Sequence, residues 1–506
     1  MSATVLTSSL IGLDAYTVEV EADISPGLSA FLVVGLPDAA VQEARERVKS
    51  AMKHSELCFP RTKVTINLAP ADLKKAGTGY DLPIAMSILA AQGDIPTLDP
   101  KQSLMLGELA LDGKLRSVSG VLCSAILASN SGIKELVVPK VNCSEASLVP
   151  GISIIPVSTL KEVVDHICGT KKITPLPPRE LDLTNHENDV YDMSAIRGQE
   201  SAKRALEIAA AGGHNILMQG PPGSGKTLLA RTFSGILPRL TTEESLEVTR
   251  IHSVAGFLPS QGYISKRPFR APHHTASGVA LVGGGTIPKP GEVSLSHRGV
   301  LFLDEFPEFS RNVLENLRQP LEDGFVTVSR AQGTISFPAR FLLVAAMNPC
   351  PCGFATDIDR ACSCTTQQID KYVKRISGPL LDRIDILIDV PKVPTNKLTE
   401  LSPGEPSSII CARIQTARDK QTERYRPLKV IMNSELTSDQ VRKIIHPTDE
   451  ARSLLQTATE RFKLSARAYF RVLKVSRTVA DLENSENVEI THIAEALQYR
   501  QNREIA

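Results

Sequence analysis

Residues 220–227 have the composition of a phosphate-binding loop. They read Gly-Pro-Pro-Gly-Ser-Gly-Lys-Thr, between a short apolar run that ends at Gln219 and a helix-like run from Leu228. Glycines let backbone N–H groups surround a phosphate, and the positive end of the following helix adds to the attraction. In this pattern Lys226 contacts the β and γ phosphates and Thr227 binds Mg²⁺. The predicted nucleotide-binding residues of the loop are Gly220, Pro221, Pro222, Gly223, Ser224, Gly225, Lys226 and Thr227.

Two carboxylates follow a second apolar run, Gly-Val-Leu-Phe-Leu at residues 299–303. An apolar run without alternation is typical of a parallel strand that is covered on both faces. Asp304 at its end would hold Mg²⁺ together with Thr227, and Glu305 would polarise the water that attacks the γ-phosphate. The plainer alternative is a pair of solvated acids after a core strand.

A third apolar run, at residues 341–347, ends in Asn348. An amide at this position could orient the attacking water between Glu305 and the γ-phosphate. The alternative is that Asn348 only forms a turn before Pro349.

Two arginines further along the chain are candidates for contact with a nucleotide. Arg383 stands just before a strand-like run at residues 384–390 and suits a residue presented to the nucleotide of a neighbouring subunit. A surface ion pair with Asp382 or Asp385 is the alternative. Arg467 opens a C-terminal helix and could fold back over the nucleotide, or it could lie on a solvated helix face.

Four cysteines form two Cys-x-Cys pairs with nine residues between them: Cys350 and Cys352, then Cys362 and Cys364. Four thiolates on one short loop suit tetrahedral Zn²⁺, although the spacing is tighter than the usual Cys-x₂-Cys. Four reduced structural cysteines, or an oxidisable pair, are the alternatives.

Alternating α and β elements are needed to position these residues. Apolar alternation predicts strands around residues 16–20 and 64–68, and residues 39–53 and 81–92 are predicted to be helices. Three prolines within residues 175–178 predict a linker. The predicted domains are residues 1–168, a linker at 169–189, an α/β core at 190–395 and a helical C-terminal region at 396–506.

Composition limits the function less than the motifs do. A chain of 506 residues is too long for one core, and a net charge of +1 neither indicates nor excludes a nucleic-acid partner. No apolar run reaches 18 residues and no basic segment precedes an apolar stretch at the N-terminus, so we expect a cytoplasmic protein. Nine scattered cysteines make a disulfide framework improbable, and the absence of Trp argues against base stacking as the main contact with nucleic acid.

These motifs resemble, in order and context, those of the AAA+ ATPases. The segments Arg270-Ala-Pro-His-His-Thr, Leu281-Val-Gly-Gly-Gly and Ser377-Gly-Pro-Leu-Leu-Asp-Arg-Ile-Asp are similar to the magnesium-chelatase-like branch, and specifically to the ComM/YifB family. The resemblance covers nearly the whole chain. It implies an α/β AAA+ core with a parallel sheet and a C-terminal helical lid.

The same resemblance implies an ATP- and Mg²⁺-dependent ring motor, hexameric in the presence of ATP and DNA. The family is associated with helicase activity and branch migration of recombination intermediates in natural transformation, or competence. The segment around Arg197 looks like the mouth of the adenine pocket, with Ile196, Gly198 and Gln199 as nucleotide-binding residues.

Two basic segments are candidates for contact with DNA. Residues 324–337 have the pattern of a β-hairpin with Arg330 at its tip, and in related ring motors a hairpin at this place points into the pore. The segment at 252–298 resembles a second pore element and contributes Lys266 and Arg267. Cations here would bind phosphates, but either set could instead be a solvated basic face.

The N-terminal region resembles the Lon protease domain. Residues 74–85 are similar to its nucleophile segment and residues 106–116 to the hairpin that follows, which implies a Lon-like, S5-type α/β fold. Asp81 stands where Lon has its serine, and Leu122 where Lon has its lysine. Without a hydroxyl and a base there is no covalent catalysis, so the region is predicted to be a scaffold for binding or assembly.

Three other functions remain open at this point. A chelatase motor that inserts Mg²⁺ into a porphyrin is disfavoured because, by resemblance, such subunits lack a Lon-like domain. An ATP-dependent protease is disfavoured by Asp81 and Leu122. A scaffold without catalysis is disfavoured by the complete set of ATPase residues.

Overall fold

The computed structural model describes residues 2–183, 191–285, 288–330, 333–357, 359–393, 404–428 and 430–500. No helix in these ranges is long and apolar enough to cross a membrane. Eighteen strands occur in the described residues: β1 (Ser2–Ile11), β2 (Asp14–Ser25), β3 (Ala30–Val34), β4 (Lys63–Ala69), β5 (Ser103–Met105), β6 (Glu108–Leu109), β7 (Leu115–Arg116), β8 (Glu135–Pro139), β9 (Ser153–Val157), β10 (Ile216–Gln219), β11 (Phe269–Arg270), β12 (Gly283–Gly284), β13 (Lys289–Pro290), β14 (Val300–Leu303), β15 (Phe325–Arg330), β16 (Gly333–Pro338), β17 (Leu342–Met347) and β18 (Ile386–Asp389).

Twenty α-helices lie between or after these strands in the same ranges. The first six belong to the N-terminal region: α1 (Ala39–Gln42), α2 (Ala44–His54), α3 (Asp81–Gln92), α4 (Val121–Asn130), α5 (Cys143–Ala146) and α6 (Leu160–Cys168). The next nine surround the second region: α7 (Glu200–Gly212), α8 (Lys226–Ile236), α9 (Thr242–Ala255), α10 (Gly278–Val282), α11 (Glu292–Leu295), α12 (Arg311–Glu315), α13 (Arg318–Asp323), α14 (Thr366–Val373) and α15 (Gly378–Leu381). The last five form the C-terminal region: α16 (Ser407–Tyr425), α17 (Ser438–Ile444), α18 (Asp449–Arg461), α19 (Ala466–Leu482) and α20 (Ile490–Gln498).

The N-terminal region is built on a mixed seven-stranded sheet in the order β3-β4-β2-β1-β5-β8-β9. The long strands β1 and β2 are antiparallel because only two residues connect them, whereas β5, β8 and β9 are parallel and joined through helices. The alternation that predicted strands places Val18 and Val20 in the core. Helix α3 has the predicted bounds and is capped by Gly93, but the predicted helix at 39–53 is two helices separated at Glu43.

The second region is built on a five-stranded sheet in the order β11-β14-β17-β10-β18, and every pair is parallel. All side chains of β14 and β17 are buried, as expected for strands covered on both faces. The carboxyl ends of parallel strands meet at one edge of a sheet. The segments that follow β10, β14 and β17 therefore converge, while the residues that precede these strands lie at the opposite edge.

The C-terminal helices share a hydrophobic core with one face of the parallel sheet. Ile414 of α16, Val479 of α19 and Ile493 of α20 belong to the same buried cluster as Ile216 and Val344 of the sheet. The lid is therefore packed against the core. The predicted linker at 169–189 and the predicted boundary between 395 and 396 fall partly or wholly outside the described residues, and the domain limits stay predictions.

The N-terminal region is joined to the second region by direct contacts between α4 and α9. The N–H of Gly120 donates to the carbonyl of Ser253 at 3.0 Å. The buried carboxylate of Glu145 accepts hydrogen bonds from the Ser253 hydroxyl and from the N–H of Leu122. A buried acid with several donors across a contact fixes the position of both elements.

Candidate functional site

The phosphate-binding loop connects β10 to α8 at the carboxyl edge of the parallel sheet. Helix α8 begins at Lys226, so the free N–H groups of its first turn point to where a phosphate would lie. Replacing Gly220 by a residue with a side chain would force the backbone to move, because a Cβ there would lie 2.2 Å from the carbonyl oxygen of Val390. The strand–loop–helix context that the glycine-rich motif requires is therefore present.

The Lys226 ammonium is buried within the loop. It donates to the carbonyls of Gly220 at 2.7 Å and Pro221 at 2.9 Å, and to the Asn348 side-chain oxygen at 3.3 Å. Burial lowers the pKa of Lys226, and the nearby Asp304 charge opposes this effect. An incoming phosphate can replace these weak neutral acceptors with charge-assisted hydrogen bonds.

The predicted magnesium ligands lie side by side. The Thr227 hydroxyl donates to the Asp304 carboxylate at 2.8 Å, across a contact between α8 and the end of β14. A cavity of about 650 Å³ opens beside them, and it is lined by Tyr191, Thr227, Arg231, Ser234, Phe269, Ala271, Pro272, His273, His274, Phe302, Asp304 and Glu305. Hydroxyl, carboxylate and water oxygens are the ligands that Mg²⁺ takes at phosphate sites.

Glu305 is held by a histidine that sequence reasoning did not assign. Its carboxylate lies 2.9 Å from Nδ1 of His274, and its backbone has a left-handed φ of +51°. His274 packs against His273 with ring centroids 4.1 Å apart and meets Phe309 edge-on. The Ala-Pro-His-His-Thr segment was the available signal, but only the fold brings it next to Glu305.

The predicted adenine-side residues lie close to the loop. Gln199 is the residue before α7 and donates to the carbonyl of Pro391, two residues after the end of β18. Val390 in turn contacts Gly220. Ile196 is buried and Gly198 is half-buried in the same stretch, so this segment and the phosphate-binding loop share one edge of the sheet.

Arg383 and Arg467 lie at the opposite edge of the sheet, together. Both line a second cavity of about 610 Å³, which also contains Asn215 from just before β10. Arg383 pairs with Glu322, and this hydrogen bond lowers the pKa of Glu322, to which the charge of Arg467 contributes. The expectation that Arg467 folds back over this chain's own nucleotide is therefore not supported, because no residue of the phosphate-binding loop lines that cavity.

The four cysteines satisfy the geometry of a tetrahedral metal site. The sulfurs of Cys350, Cys352 and Cys362 are 3.3–3.7 Å apart, and all four sulfurs, including that of Cys364, lie within 4.8 Å of one another. A Zn–S distance of 2.3 Å in a tetrahedron places sulfurs about 3.8 Å apart. Backbone hydrogen bonds from Phe354 and Ser363 lower the pKa of Cys352 to about 5, whereas burial and the neighbouring sulfurs raise the pKa of Cys362 and Cys364.

The candidate DNA residues differ in their placement. The hairpin predicted at 324–337 is present as β15 and β16, but the side chain of Arg330 and the tip at 331–332 lie outside the described residues. Lys266 is half-buried. Arg267 donates to Glu244 at 2.8 Å and to the carbonyls of Pro238 and Arg298, so its guanidinium is used within the protein and we leave it out of the DNA surface.

A second hairpin lies in the insertion. Strands β12 and β13 pair in antiparallel fashion, and Lys289 in β13 is exposed. Sequence reasoning overlooked this lysine because only its pairing partner reveals that it lies on a hairpin. Arg270, from the same insertion, is bound to Glu292 at 2.6 and 2.7 Å.

The position that resembles the serine of Lon is occupied by a buried ion pair. Asp81, at the start of α3, accepts hydrogen bonds from Arg47 at 2.7 and 2.9 Å and from the N–H of Leu109 at 3.2 Å. Leu122 is fully buried in α4. The two side chains offer neither a nucleophilic hydroxyl nor a base.

Three family profiles match the chain in succession. The profile described as subunit ChlI of Mg-chelatase matches residues 20–142, that of magnesium chelatase, subunit ChlI, matches 192–398, and that of the subunit ChlI C-terminal region matches 404–500. Together these matches cover most of the chain.

Similar proteins divide into two groups by the length that they share with the chain. Competence protein ComM of Haemophilus influenzae is 44% identical over 502 residues, covering 98% of this chain and 97% of that protein. YifB of Escherichia coli is 43% identical over 496 residues, covering 98% and 96%. The magnesium-chelatase subunit ChlI-2 of Arabidopsis thaliana is 24% identical over 197 residues, covering 34% and 47%.

Proposed function

This chain belongs to the ComM/YifB family of magnesium-chelatase-like AAA+ proteins, and on that premise we propose that it is a ring-forming ATPase that moves along DNA. The observation that supports hydrolysis most directly is the convergence of Lys226, Thr227, Asp304 and Asn348 at one edge of the parallel sheet. The name of the Haemophilus relative, competence protein ComM, supports a connection with competence. We propose that the protein acts in the cytoplasm.

Each residue at that edge has a separate part in the proposed hydrolysis. Lys226 and the N–H groups of the loop bind the phosphates, and Thr227 and Asp304 would hold Mg²⁺, which neutralises charge on the β and γ phosphates. Glu305 polarises the attacking water, and Asn348 orients it. The hydrogen bond from Lys226 to Asn348 links the residue that binds the γ-phosphate to the residue that orients the water.

Hydrolysis in this proposal needs a second copy of the chain. Arg383 and Arg467 lie at the opposite edge of the sheet from the chain's own Lys226, so they can reach the γ-phosphate only if it belongs to a neighbour. A head-to-tail contact that repeats in this way forms a ring when its rotation closes, and we propose a closed hexamer. On binding the neighbour, Arg383 exchanges Glu322 for phosphate.

Two hairpins are the proposed contacts with DNA. One is formed by β15 and β16, with Arg330 at its end, and the other by β12 and β13, with the exposed Lys289. Contacts with phosphates carry little sequence information, which suits a motor that moves over any sequence. We propose branch migration of recombination intermediates as the reaction that this movement drives.

The alternative function, a chelatase motor, is disfavoured by the short part of this chain that aligns with a chelatase subunit. The N-terminal region can no longer be used against it, because the profile that matches residues 20–142 is itself described as subunit ChlI of Mg-chelatase. However, the Arabidopsis chelatase subunit aligns with only 34% of this chain, whereas the Haemophilus competence protein aligns with 98%. The full-length similarity favours the DNA motor.

A branched DNA with one labelled arm tests the proposed movement. We expect the arm to be released with ATP and not with a non-hydrolysable analogue. Affinity should fall with salt by a slope of roughly −0.9 per duplex phosphate contacted, and Arg330→Ala should reduce that slope by about one contact while the ATP site stays intact. Lys101→Ala removes an exposed cation of the N-terminal region and is the matched control. ATP consumption without arm release at any salt concentration would contradict the DNA motor and favour chelatase-like work.

We propose that Cys350, Cys352, Cys362 and Cys364 bind one Zn²⁺. Metal analysis of protein that has never met a chelator should find about one zinc per chain. Cys352→Ser should lose the metal and lower the melting temperature, because the free energy of zinc binding is partly free energy of folding. Cys58→Ser, which changes an exposed cysteine outside the cluster, should do neither. Metal-free wild-type protein with normal stability would exclude a zinc site.

A further inference from the structure

The loop that carries the four cysteines packs directly against the phosphate-binding loop. It leaves β17 at Asn348, whose side chain accepts a hydrogen bond from Lys226, and Cys350 follows two residues later. The described residues between Asn348 and the start of α14 form no helix and no strand. Since regular secondary structure does not hold this loop, a metal bound by the sulfur cluster would help to fix its conformation.

Gly353 brings the cysteine loop close to the phosphate-binding loop. It follows Cys352 directly, and a Cβ at this position would lie 2.8 Å from both Cγ and Cδ of Pro222. Its φ of +87° is strained for any residue with a side chain. The backbone next to the proposed metal ligands thus lies against the ring of Pro222, and a side chain at position 353 would not fit between them.

The far part of the cysteine loop is also anchored at this edge of the sheet. Asp359 accepts a hydrogen bond from Lys392 at 2.8 Å, and Lys392 follows β18 by three residues. Val390, in the same segment, contacts Gly220. The cysteine loop consequently approaches the phosphate-binding loop at two points, where Asn348 meets Lys226 and where Gly353 meets Pro222. Its far part is linked through Lys392 to the segment that supports Gly220.

We propose that metal binding by the four cysteines and nucleotide binding by the phosphate-binding loop are coupled. This inference rests on the proposed zinc site and the proposed ATP site. A bound metal fixes the loop, and the loop fixes Asn348 and Pro222 in the positions that favour nucleotide. Because coupling between two ligands is reciprocal, nucleotide must strengthen metal binding by the same factor.

The reciprocity gives two independent measurements. We expect removal of zinc to weaken the binding of fluorescent N-methylanthraniloyl-ATP by about tenfold, within the range of roughly 5–150-fold that is typical of coupled sites. A saturating non-hydrolysable ATP analogue should raise the affinity of the protein for zinc by the same factor, measured by competition with a chromogenic chelator. Circular dichroism of the zinc-free protein checks that it is still folded.

Gly353→Ala separates this coupling from a general loss of structure. The variant retains all four thiols, so we expect about one zinc per chain, but the added Cβ pushes against Pro222. Nucleotide binding should weaken several-fold while zinc is still bound, and the remaining effect of zinc on nucleotide affinity should shrink. Gly132→Ala is the matched control, because Gly132 also has a positive φ of +69° but nothing within 4 Å of a Cβ.

Each failure has a distinct signature. If zinc is bound and folded zinc-free protein binds nucleotide with unchanged affinity, the coupling is wrong and the zinc site stands. If no preparation contains zinc, the metal site and the coupling both fall. If zinc-loaded wild-type protein does not bind nucleotide, the proposed ATPase function fails.

Discussion

Replacing Glu305 with glutamine should leave ATP bound and slow its hydrolysis by about 10²–10⁴-fold. Glutamine keeps the size of the side chain but cannot polarise the attacking water as a carboxylate does. Lys226→Ala should instead abolish nucleotide binding, because the loop loses the one cation that reaches the β and γ phosphates. The two variants thus separate binding from chemistry at the same edge of the sheet.

Nucleotide affinity and single-turnover hydrolysis, measured on the same preparations, check this prediction. Glu308→Gln is the matched control, since Glu308 is a nearby acid whose contact is an exposed pair with Arg375 at 2.6 Å. It should hydrolyse ATP at close to the wild-type rate. Near-normal turnover by Glu305→Gln would show that another group activates the water.

Arg383→Ala should lose about 10³-fold or more of the hydrolysis rate while each subunit still binds ATP. The guanidinium lies at the opposite edge of the sheet from the chain's own phosphate-binding loop, so its loss affects the neighbour's nucleotide. Arg452→Ala, which removes an exposed arginine of α18, should have no such effect.

Mixed rings test whether the arginine acts in trans. Lys226→Ala subunits retain Arg383, and Arg383→Ala subunits retain an intact phosphate-binding loop. Each variant alone should be inactive, but a mixture should recover activity at interfaces where the intact loop faces the intact arginine. Inactive mixtures of properly assembled rings, or full activity of a strict wild-type monomer, would exclude the trans arrangement.

Those residues of the site that directly follow strands can be predicted from the sequence alone. Asp304 and Asn348 end apolar runs that are buried on both faces, and such runs identify parallel strands without any knowledge of their neighbours. The glycine-rich loop likewise carries its local context with it. These features depend on residues that are adjacent in the chain, which is why reading along the chain finds them.

Other parts of the site depend on contacts between distant segments. Glu305 meets His274, 31 positions earlier, only because β11 pairs with β14, and Arg467 shares a cavity with Arg383 because the lid packs on the sheet. Arg267 looked available for DNA because its partner Glu244 lies on another element. A pattern of residue types does not reveal which cations already have a partner.

The buried pair between Arg47 and Asp81 limits how this chain could evolve. Changing Asp81 to serine in one step would introduce a hydroxyl but leave the half-buried Arg47 guanidinium without its carboxylate, which destabilises the fold. Changing Arg47 first leaves an unpaired buried acid. A descendant could acquire a serine nucleophile at this position only through a destabilised intermediate, and it would still need a base in place of Leu122.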